Sequence, residues 1–436
     1  MKTAGNSFLL MFVAFFGIFV YGLLAALPGS VLPTLERGGF LPSDKAIGDF
    51  LLINAVGAVL AYLASGPIID RLGKKAALLF GALVVIVSMV GFALTVSRVP
   101  PQSALFLVMA GAFVLGLGAN AIVSAGHALV AHAASSWRNA ALNLLDICFG
   151  LGLASLPLVV QVLQRGGGLE LIFWSLAAAA GLLLLLVVTS KFPPAEHAES
   201  FPIHETGGLL RNPHFWLLAL ALFMYVGAEV SVGKWVVTYM ERDPQLLAGL
   251  GLDASRLQEM ARVAPESLSR FFEEDAKGIE VATFALRTLS FFAFALLAGR
   301  LVSSVLLGVF RVNSLWLLAA GSAITAASLL AAFTTADPGL VRWALVATGF
   351  GMGPIFPTSV GLASVMAPRI SGTAMSLVMG VGFAGLLLIP PAVGYVSDAR
   401  GGRAGDLRGG LMVVLAAAVA MLVLHVVLAV RQRSSA

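Results

Sequence analysis

The sequence predicts an all-α membrane protein whose twelve transmembrane helices form two pseudo-symmetric six-helix bundles. Three observations lead there. Of 436 residues, 59% are hydrophobic and only 11% charged, against about a quarter charged in an ordinary soluble domain. A compact soluble fold cannot hide that much apolar surface, because its exterior must be dressed with polar groups. The apolar residues gather into runs of spanning length, and the runs of the second half echo those of the first. A soluble enzyme, a secreted disulfide scaffold and a disordered chain are all excluded. The single cysteine, Cys148, forbids an intramolecular disulfide.

A span needs about 20 apolar residues. Reading the runs between charged or Pro/Gly breaks places helices near 7–33, 45–69, 75–97, 103–131, 138–164, 169–191, 213–240, 279–303, 313–334, 338–363, 370–396 and 407–430. The first follows Lys2 and carries an apolar run from Phe8 to Leu27, long enough to stay in the membrane rather than act as a cleaved signal. Two polar stretches interrupt the series. Residues 192–212, with Pro193, Pro194, Glu196 and Glu199, read as a cytoplasmic linker between a first bundle, 1–191, and a second, 213–436. Within the second, residues 241–278 form a polar external segment, where Arg256, Glu259, Arg262, Glu266, Arg270 and Glu273 mark a surface helix or two.

The echo between the halves lies in small residues. Gly116-Leu-Gly118, then Arg138, then Gly150, Gly152 and Pro157 find a counterpart in Gly351-Met-Gly353, Arg369, and Gly380, Gly382, Gly385 and Pro390. A weak repeat of this kind is what duplicated transporter folds leave in sequence, with the solute site expected between the halves near the bilayer midplane. Orientation follows from Lys and Arg. The side holding both termini carries Lys2, Arg71, Lys74, Lys75, Arg138, Lys191, Arg211, Arg300, Arg311, Arg369, Arg431 and Arg433. The opposite short loops carry Arg37, Lys45, Arg98, Arg165, Arg342, Arg400, Arg403 and Arg408. The excess puts both termini in the cytoplasm of a bacterial inner membrane. A net charge of +5 distributed over such loops indicates no nucleic-acid partner.

Between the second and third spans stands Gly66-Pro-Ile-Ile-Asp70-Arg71-Leu-Gly73-Lys74-Lys75. Gly66 allows close helix packing, Gly73 a tight turn, and Asp70 can pair with a basic residue or a helix N-terminus across a bundle. This loop resembles the G-x-x-x-D-R-x-G-R/K-R/K motif of the major facilitator superfamily at every defined position. The resemblance implies the major facilitator fold, alternating access, and a gating role for Gly66, Asp70, Arg71, Gly73, Lys74 and Lys75. A looser resemblance points to the fucose:proton symporter family, which includes bacterial glucose/galactose carriers. It rests on Arg138 to Pro157 in the fifth span, Tyr225-Val-Gly227-Ala-Glu229-Val-Ser231-Val-Gly233-Lys234-Trp235 in the seventh, Ser290-Phe-Phe to Gly299-Arg300 in the eighth, and Gly353-Pro-Ile-Phe356-Pro357 in the tenth. That family implies sugar uptake. Asp146 stands where its members often carry a neutral or histidine side chain, and the first span lacks the fucose carrier's aspartate.

Four charged residues fall more than five residues inside the ends of these spans: Asp146, Glu229, Lys234 and Arg287. Each costs about 2.5–3.5 kcal/mol at a helix centre, so each requires a partner, a cavity or a proton. Asp146 and Glu229 are the candidates for proton coupling, with the proton as the coupling ion and sodium as the alternative. Glu229 is equally readable as an ion pair with Arg287 or Lys234. A cavity-facing Arg287 or Lys234 would instead clamp an organic anion, and a greasier cavity would serve drug or lipid efflux. Sugar binding wants neutral donors and acceptors flanked by aromatic faces. Asn54, the Asn120–Ser124–His127 stripe, Asn143, Gln161, Tyr225 and Trp235 supply that set, with helix-to-helix bonding as the plainer use of each. No HExxH, Walker loop or Cys/His set of metal spacing occurs, so neither an enzyme, a metal nor another cofactor is expected. The expected protein is a monomer in the lipid bilayer, acting on a small solute, preferably a sugar.

Overall fold

In hydrocarbon every backbone N–H and C=O must find a partner within the chain, and a helix provides one for each of its interior groups. The computed structural model follows that rule: it describes residues 2–133, 138–192, 203–253, 271–272, 274–367, 371–401 and 407–435, and among them there are helices and no strand. Twelve segments are long and apolar enough to cross a membrane. They are Phe8–Arg37, Asp44–Tyr62, Leu72–Arg98, Pro101–Val130, Leu144–Gln164, Gly166–Thr189, Pro213–Arg242, Ala276–Gly308, Ser314–Thr334, Pro338–Met366, Leu377–Ala399 and Leu407–Arg431. They follow the predicted spans to within a few residues at most ends.

The chain divides into two compact units. The first comprises Met1–Pro42, Asp49–Glu199 and Glu259–Ser290; the second comprises Ser43–Gly48, Ser200–Gln258 and Phe291–Ala436. In the first unit, consecutive helices join almost without interruption. Spans two and three form one helical run broken at Gly73 (φ 88°), and spans five and six are broken at Gly167 and Gly168 (φ 60°). In the second unit, side-chain oxygens cap the helix starts: Asn212 accepts from His214 N, Asn313 from Leu315 N, and Asp337 from Gly339 N.

Glycine seams hold each unit together, and they repeat. A Cβ on Gly22 would lie 2.3 Å from Phe149 O, and one on Gly152 2.2 Å from Phe19 O, so spans one and five touch backbone to backbone. Spans seven and eleven do the same, with Gly385 against Phe223 O at 2.3 Å and Gly227 against Ile389. Gly116 meets Asn54 O of span two at 2.0 Å, and Gly118 meets Val85 N of span three at 2.8 Å. Their counterparts are Gly349, 2.3 Å from Phe292 O of span eight, and Gly351, 2.6–2.8 Å from Gly321 of span nine. The repeat is therefore real but shifted. Gly116-x-Gly118 corresponds to Gly349-x-Gly351, two residues earlier than the predicted Gly351-x-Gly353, because the pattern alone could not say which neighbour each glycine faces.

Two predicted spans are not continuous helices. The tenth breaks after Met352, where Pro354 precedes a second helix, Ile355–Met366. The eleventh tightens to a 3₁₀ turn at Gly385–Leu387 before restarting at Ile389 with Pro390 and Pro391 in its first turn. Proline lacks the N–H that an uninterrupted helix needs, so each helix stops and starts again.

At one end of the second unit, Arg242 and Asp243 tie several helix ends together. Arg242 pairs with the fully buried Asp44, which also accepts from Ser397 Oγ at 2.6 Å. Asp243 pairs with Arg408 Nε at 2.5 Å, and Arg408 also donates to Thr335 O. Beyond them lies a short helix, Pro244–Gly249, capped by Asp243. Within the polar external segment expected over 241–278, residues 254–270 and 273 fall outside the described residues, but Phe272 is described and buried.

The seams make a sharp stability prediction. Gly152→Leu forces a side chain into Phe19 O and is expected to cost about 1–3 kcal/mol. Gly91→Leu, where an added Cβ meets nothing within 4 Å, should be close to neutral. Thermal unfolding in detergent, comparing the two variants, checks this.

Candidate functional site

In the first unit, the polar stripe of span four largely serves its own helix. Asn120 Nδ2 donates to Gly116 O (2.8 Å), Ser124 Oγ to Asn120 O (2.9 Å) and His127 Nδ1 to Val123 O (2.8 Å), each one turn back. The remaining valences point to other spans. Asn120 Oδ1 accepts from Tyr21 O–H at 3.4 Å. The Tyr21 ring stacks on Phe149, with centroids 5.4 Å apart, and Tyr62 interacts with Tyr21. With Nδ1 engaged, His127 turns Nε2 to Asp146 Oδ1 at 3.8 Å, and both side chains are more than two-fifths exposed. An aromatic platform, an amide and an accessible imidazole–carboxylate pair thus arise from spans one, two, four and five. Such a set can hold hydroxyl groups and can take up or release a proton.

The other first-unit candidates mostly link spans. Asn54 Nδ2 donates to Ala112 O (2.9 Å), tying span two to span four. Gln161 Nε2 donates to Thr283 Oγ1 (3.2 Å) in span eight, and Gln164 Nε2 to Thr34 Oγ1 (3.1 Å). A small cavity beside these glutamines is lined by Phe272, Ala282 and Leu286, and Arg37 lies over the Phe272 ring at 4.4 Å. The Asn143 side chain lies outside the described residues. Arg287 is exposed.

In the loop between spans two and three, Gly73 supplies the left-handed turn that glycine adopts without strain. Lys75 Nζ donates to Val188 O (3.0 Å) and Ser190 O (2.9 Å), a cation on the carbonyls that end span six. Lys74 is half-buried and engaged. The side chains of Gly66, Asp70 and Arg71 lie outside the described residues.

The second unit holds a separate charged centre. Glu229 of span seven faces Arg300 of span eight, Oε1 to Nη2 4.0 Å, with both side chains less than a fifth exposed. Tyr225, one turn before Glu229, is fully buried, interacts with both charges, and its hydroxyl makes no well-formed hydrogen bond. Its ring lies 6.4 Å from Phe356, which in turn meets Phe383 at 6.1 Å. Trp235 is fully buried and donates Nε1–H to Pro390 O (3.0 Å), locking span seven to span eleven. Lys234 is half-buried and engaged.

Arg300 corrects the expected pairing of Glu229 with Arg287 or Lys234. In sequence it counted with the loop cations because only eight residues separate it from the end of Ala276–Gly308. Helical side chains lean toward the N-terminus, and arginine is long enough to bring its guanidinium back into the span. Tyr21 and Tyr62 were also missed. Their signal was available: all five tyrosines fall within spans, where each hydroxyl needs a partner.

Comparison with known proteins places these centres in context. The sequence pattern of the Major Facilitator Superfamily matches residues 14–254. A Saccharomyces cerevisiae protein, Bypass of stop codon protein 6, is 23% identical over 93% of this chain and 79% of its own. Protein TsgA of Escherichia coli is 22% identical over 95% of this chain and 94% of its own. A Helicobacter pylori protein whose name proposes a glucose/galactose transporter is 25% identical over 55% of this chain and 49% of its own. Among solved structures, a D-xylose-proton symporter superposes with a TM-score of 0.70 at 14% identity, covering 97% of each chain. The nucleoside transporter NupG gives 0.69 at 14% identity, covering 95% of this chain and 99% of its own.

The Glu229–Arg300 centre predicts an asymmetry between the two arginines of span eight. Arg300→Met leaves a buried carboxylate without its countercharge and is expected to destabilise by about 3–5 kcal/mol. Adding Glu229→Gln recovers part of that loss, a coupling of about 0.5–3 kcal/mol. Arg287→Met, at an exposed position, stays within about 0.5 kcal/mol. Denaturation of these three variants, of Glu229→Gln alone and of the parent checks the set.

Proposed function

We propose, from the premise that this chain belongs to the Major Facilitator Superfamily, that it takes up a sugar together with a proton by alternating access. It is a membrane transporter, not an enzyme. The observation that carries the sugar reading is the first-unit constellation: the Tyr21–Phe149 stack, the Tyr21–Asn120 bond and the His127–Asp146 pair. Aromatic faces cover the C–H surfaces of a pyranose, while amide and imidazole groups satisfy its hydroxyls. The name of the Helicobacter pylori relative supports the same solute class.

Proton coupling needs a carboxyl whose charge changes a neighbour's interactions. Asp146 and Glu229 both qualify, because each faces a group that responds to it, His127 in one case and Arg300 in the other. Protonating either carboxyl removes a charge attraction and frees its partner for the solute. The working arrangement is a monomer in a bacterial inner membrane with both termini in the cytoplasm, as the Lys and Arg distribution favours. The loop from Gly66 to Lys75 would act as the gate on that side.

Purified protein in proteoliposomes, given glucose and an inward proton gradient, tests this. Asp146→Asn or Glu229→Gln, whichever removes the coupling group, is expected to lower gradient-driven uptake about tenfold or more while leaving solute exchange intact. Uphill uptake that survives in both variants would show that neither carboxyl couples the proton.

A further inference from the structure

We infer that the coupled proton is carried on Nε2 of His127, and that a solute hydroxyl bridges that nitrogen to the Asp146 carboxylate in the loaded state. The inference rests on the proton-coupled sugar reading above and moves the proton from a carboxyl to the imidazole beside it.

The backbone decides which ring nitrogen is left to titrate. His127 Nδ1 lies 2.8 Å from Val123 O. A carbonyl oxygen only accepts, so Nδ1 carries a hydrogen whether the ring is neutral or charged. A neutral His127 therefore turns a bare Nε2 lone pair toward Asp146 Oδ1, 3.8 Å away. Nitrogen and carboxylate oxygen are then two acceptors with no donor between them. A proton on Nε2 turns the same edge into a donor beside an acceptor, while the carboxylate stays ionised. The step is a simple transfer from water: an O–H bond of hydronium breaks, an N–H bond forms, and the pair loses its net negative charge.

The spacing fits an inserted hydroxyl. At 3.8 Å the two atoms stand farther apart than the about 2.7–2.9 Å of a closed ion pair. An oxygen about 2.8 Å from each fills the gap, its two bonds meeting at roughly a right angle. It accepts from Nε2–H and donates to Oδ1, which matches the single O–H and the lone pairs of a sugar hydroxyl. Without the proton, the same hydroxyl would satisfy one acceptor and set its oxygen against the other. Phe149 follows Asp146 by one helical turn, so its ring, stacked on Tyr21, shares a face of span five with the carboxylate. A pyranose resting on that stack can extend a hydroxyl to the pair.

Water reaches this edge, because both side chains are more than two-fifths exposed and charged groups within spans face aqueous cavities rather than lipid. They stand about two turns inside the consecutive ends of the helices Pro101–Ala133 and Arg138–Thr189. Span five presents Asp146 to the imidazole, with Cys148 on another face of that span. Span one presents Ile18, against Gly126, and farther along Tyr21, which is engaged with Asn120 and with Tyr62 of span two. Span three presents Gly81, against Ile122. Among the described residues, Asp146 is thus the charged group that acts on the ring.

Glucose is the probe, with binding read by thermal shift on purified protein and by counterflow in proteoliposomes. Imidazole titrates between about pH 5 and about pH 8. Tighter binding to the protonated pair should raise glucose affinity about fivefold or more from about pH 7.5 to about pH 5.5. His127→Gln keeps an amide at the site but holds no proton, so its glucose affinity should be weaker and should no longer change with pH. In wild-type protein carrying isotopically labelled histidine, nitrogen NMR at about pH 7 should show glucose converting an Nδ1-protonated neutral imidazole to imidazolium. That measurement needs no variant, so a misfolded substitution does not blunt the test. A pH response that survives in His127→Gln, or glucose binding with no histidine changing charge, would overturn the inference and leave proton coupling through a carboxyl standing. Affinity that is flat or rises with pH in the wild type would overturn it as well. No glucose binding at any pH would overturn the sugar reading together with it.

Discussion

Hydrocarbon solvates neither a peptide group nor a charge, and the arrangement of this protein follows from that constraint. Backbone groups must be satisfied within each segment, which makes every described span a helix. Between helices the lipid removes the usual hydrophobic drive, so association depends on close contact and dispersion, and small residues line the contacts. Charges inside are few because each costs about 2.5–3.5 kcal/mol unless it is paired or given a polar surface. At two of the retained ones, Asp146 with His127 and Glu229 with Arg300, that cost is met by an interaction that a proton can alter.

Packing and chemistry meet at the same places. Gly22 and Gly152 press span one against span five, and the neighbouring Tyr21 and Phe149 are stacked by that approach. Gly299 and Gly353 press span eight against span ten next to Arg300, and Gly227 lies between Tyr225 and Glu229 in the seam with span eleven. A side chain at any of these glycines would push apart the residues that form the candidate centres. The seams therefore set the geometry of the site as well as holding the spans together.

Much of this was legible in the residues themselves. Apolar run length gave the spans, and the Gly66–Lys75 loop pointed to the family to which the chain belongs. What escaped was three-dimensional. The two-residue shift of the glycine repeat depends on which neighbour Gly349 and Gly351 face, and composition carries no such information. The breaks at Pro354 and at Gly385–Leu387 were hidden by an unbroken apolar character. Arg300 was hidden by counting charges at their Cα positions, although an arginine head group lies several ångströms from its backbone and toward the N-terminus of its helix. Arg287 and Asn54 looked equivalent in sequence to residues of the two centres. The structure separates them: Arg287 is exposed, and Asn54 spends its amide on Ala112 O.

In the proposed function, solute and proton cross together. Proteoliposomes loaded with a pH-sensitive dye and containing the purified protein test it most directly, with no gradient imposed at the start. Adding glucose outside should acidify the interior in proportion to the solute taken up. Solute entry with no change in internal pH would contradict the account.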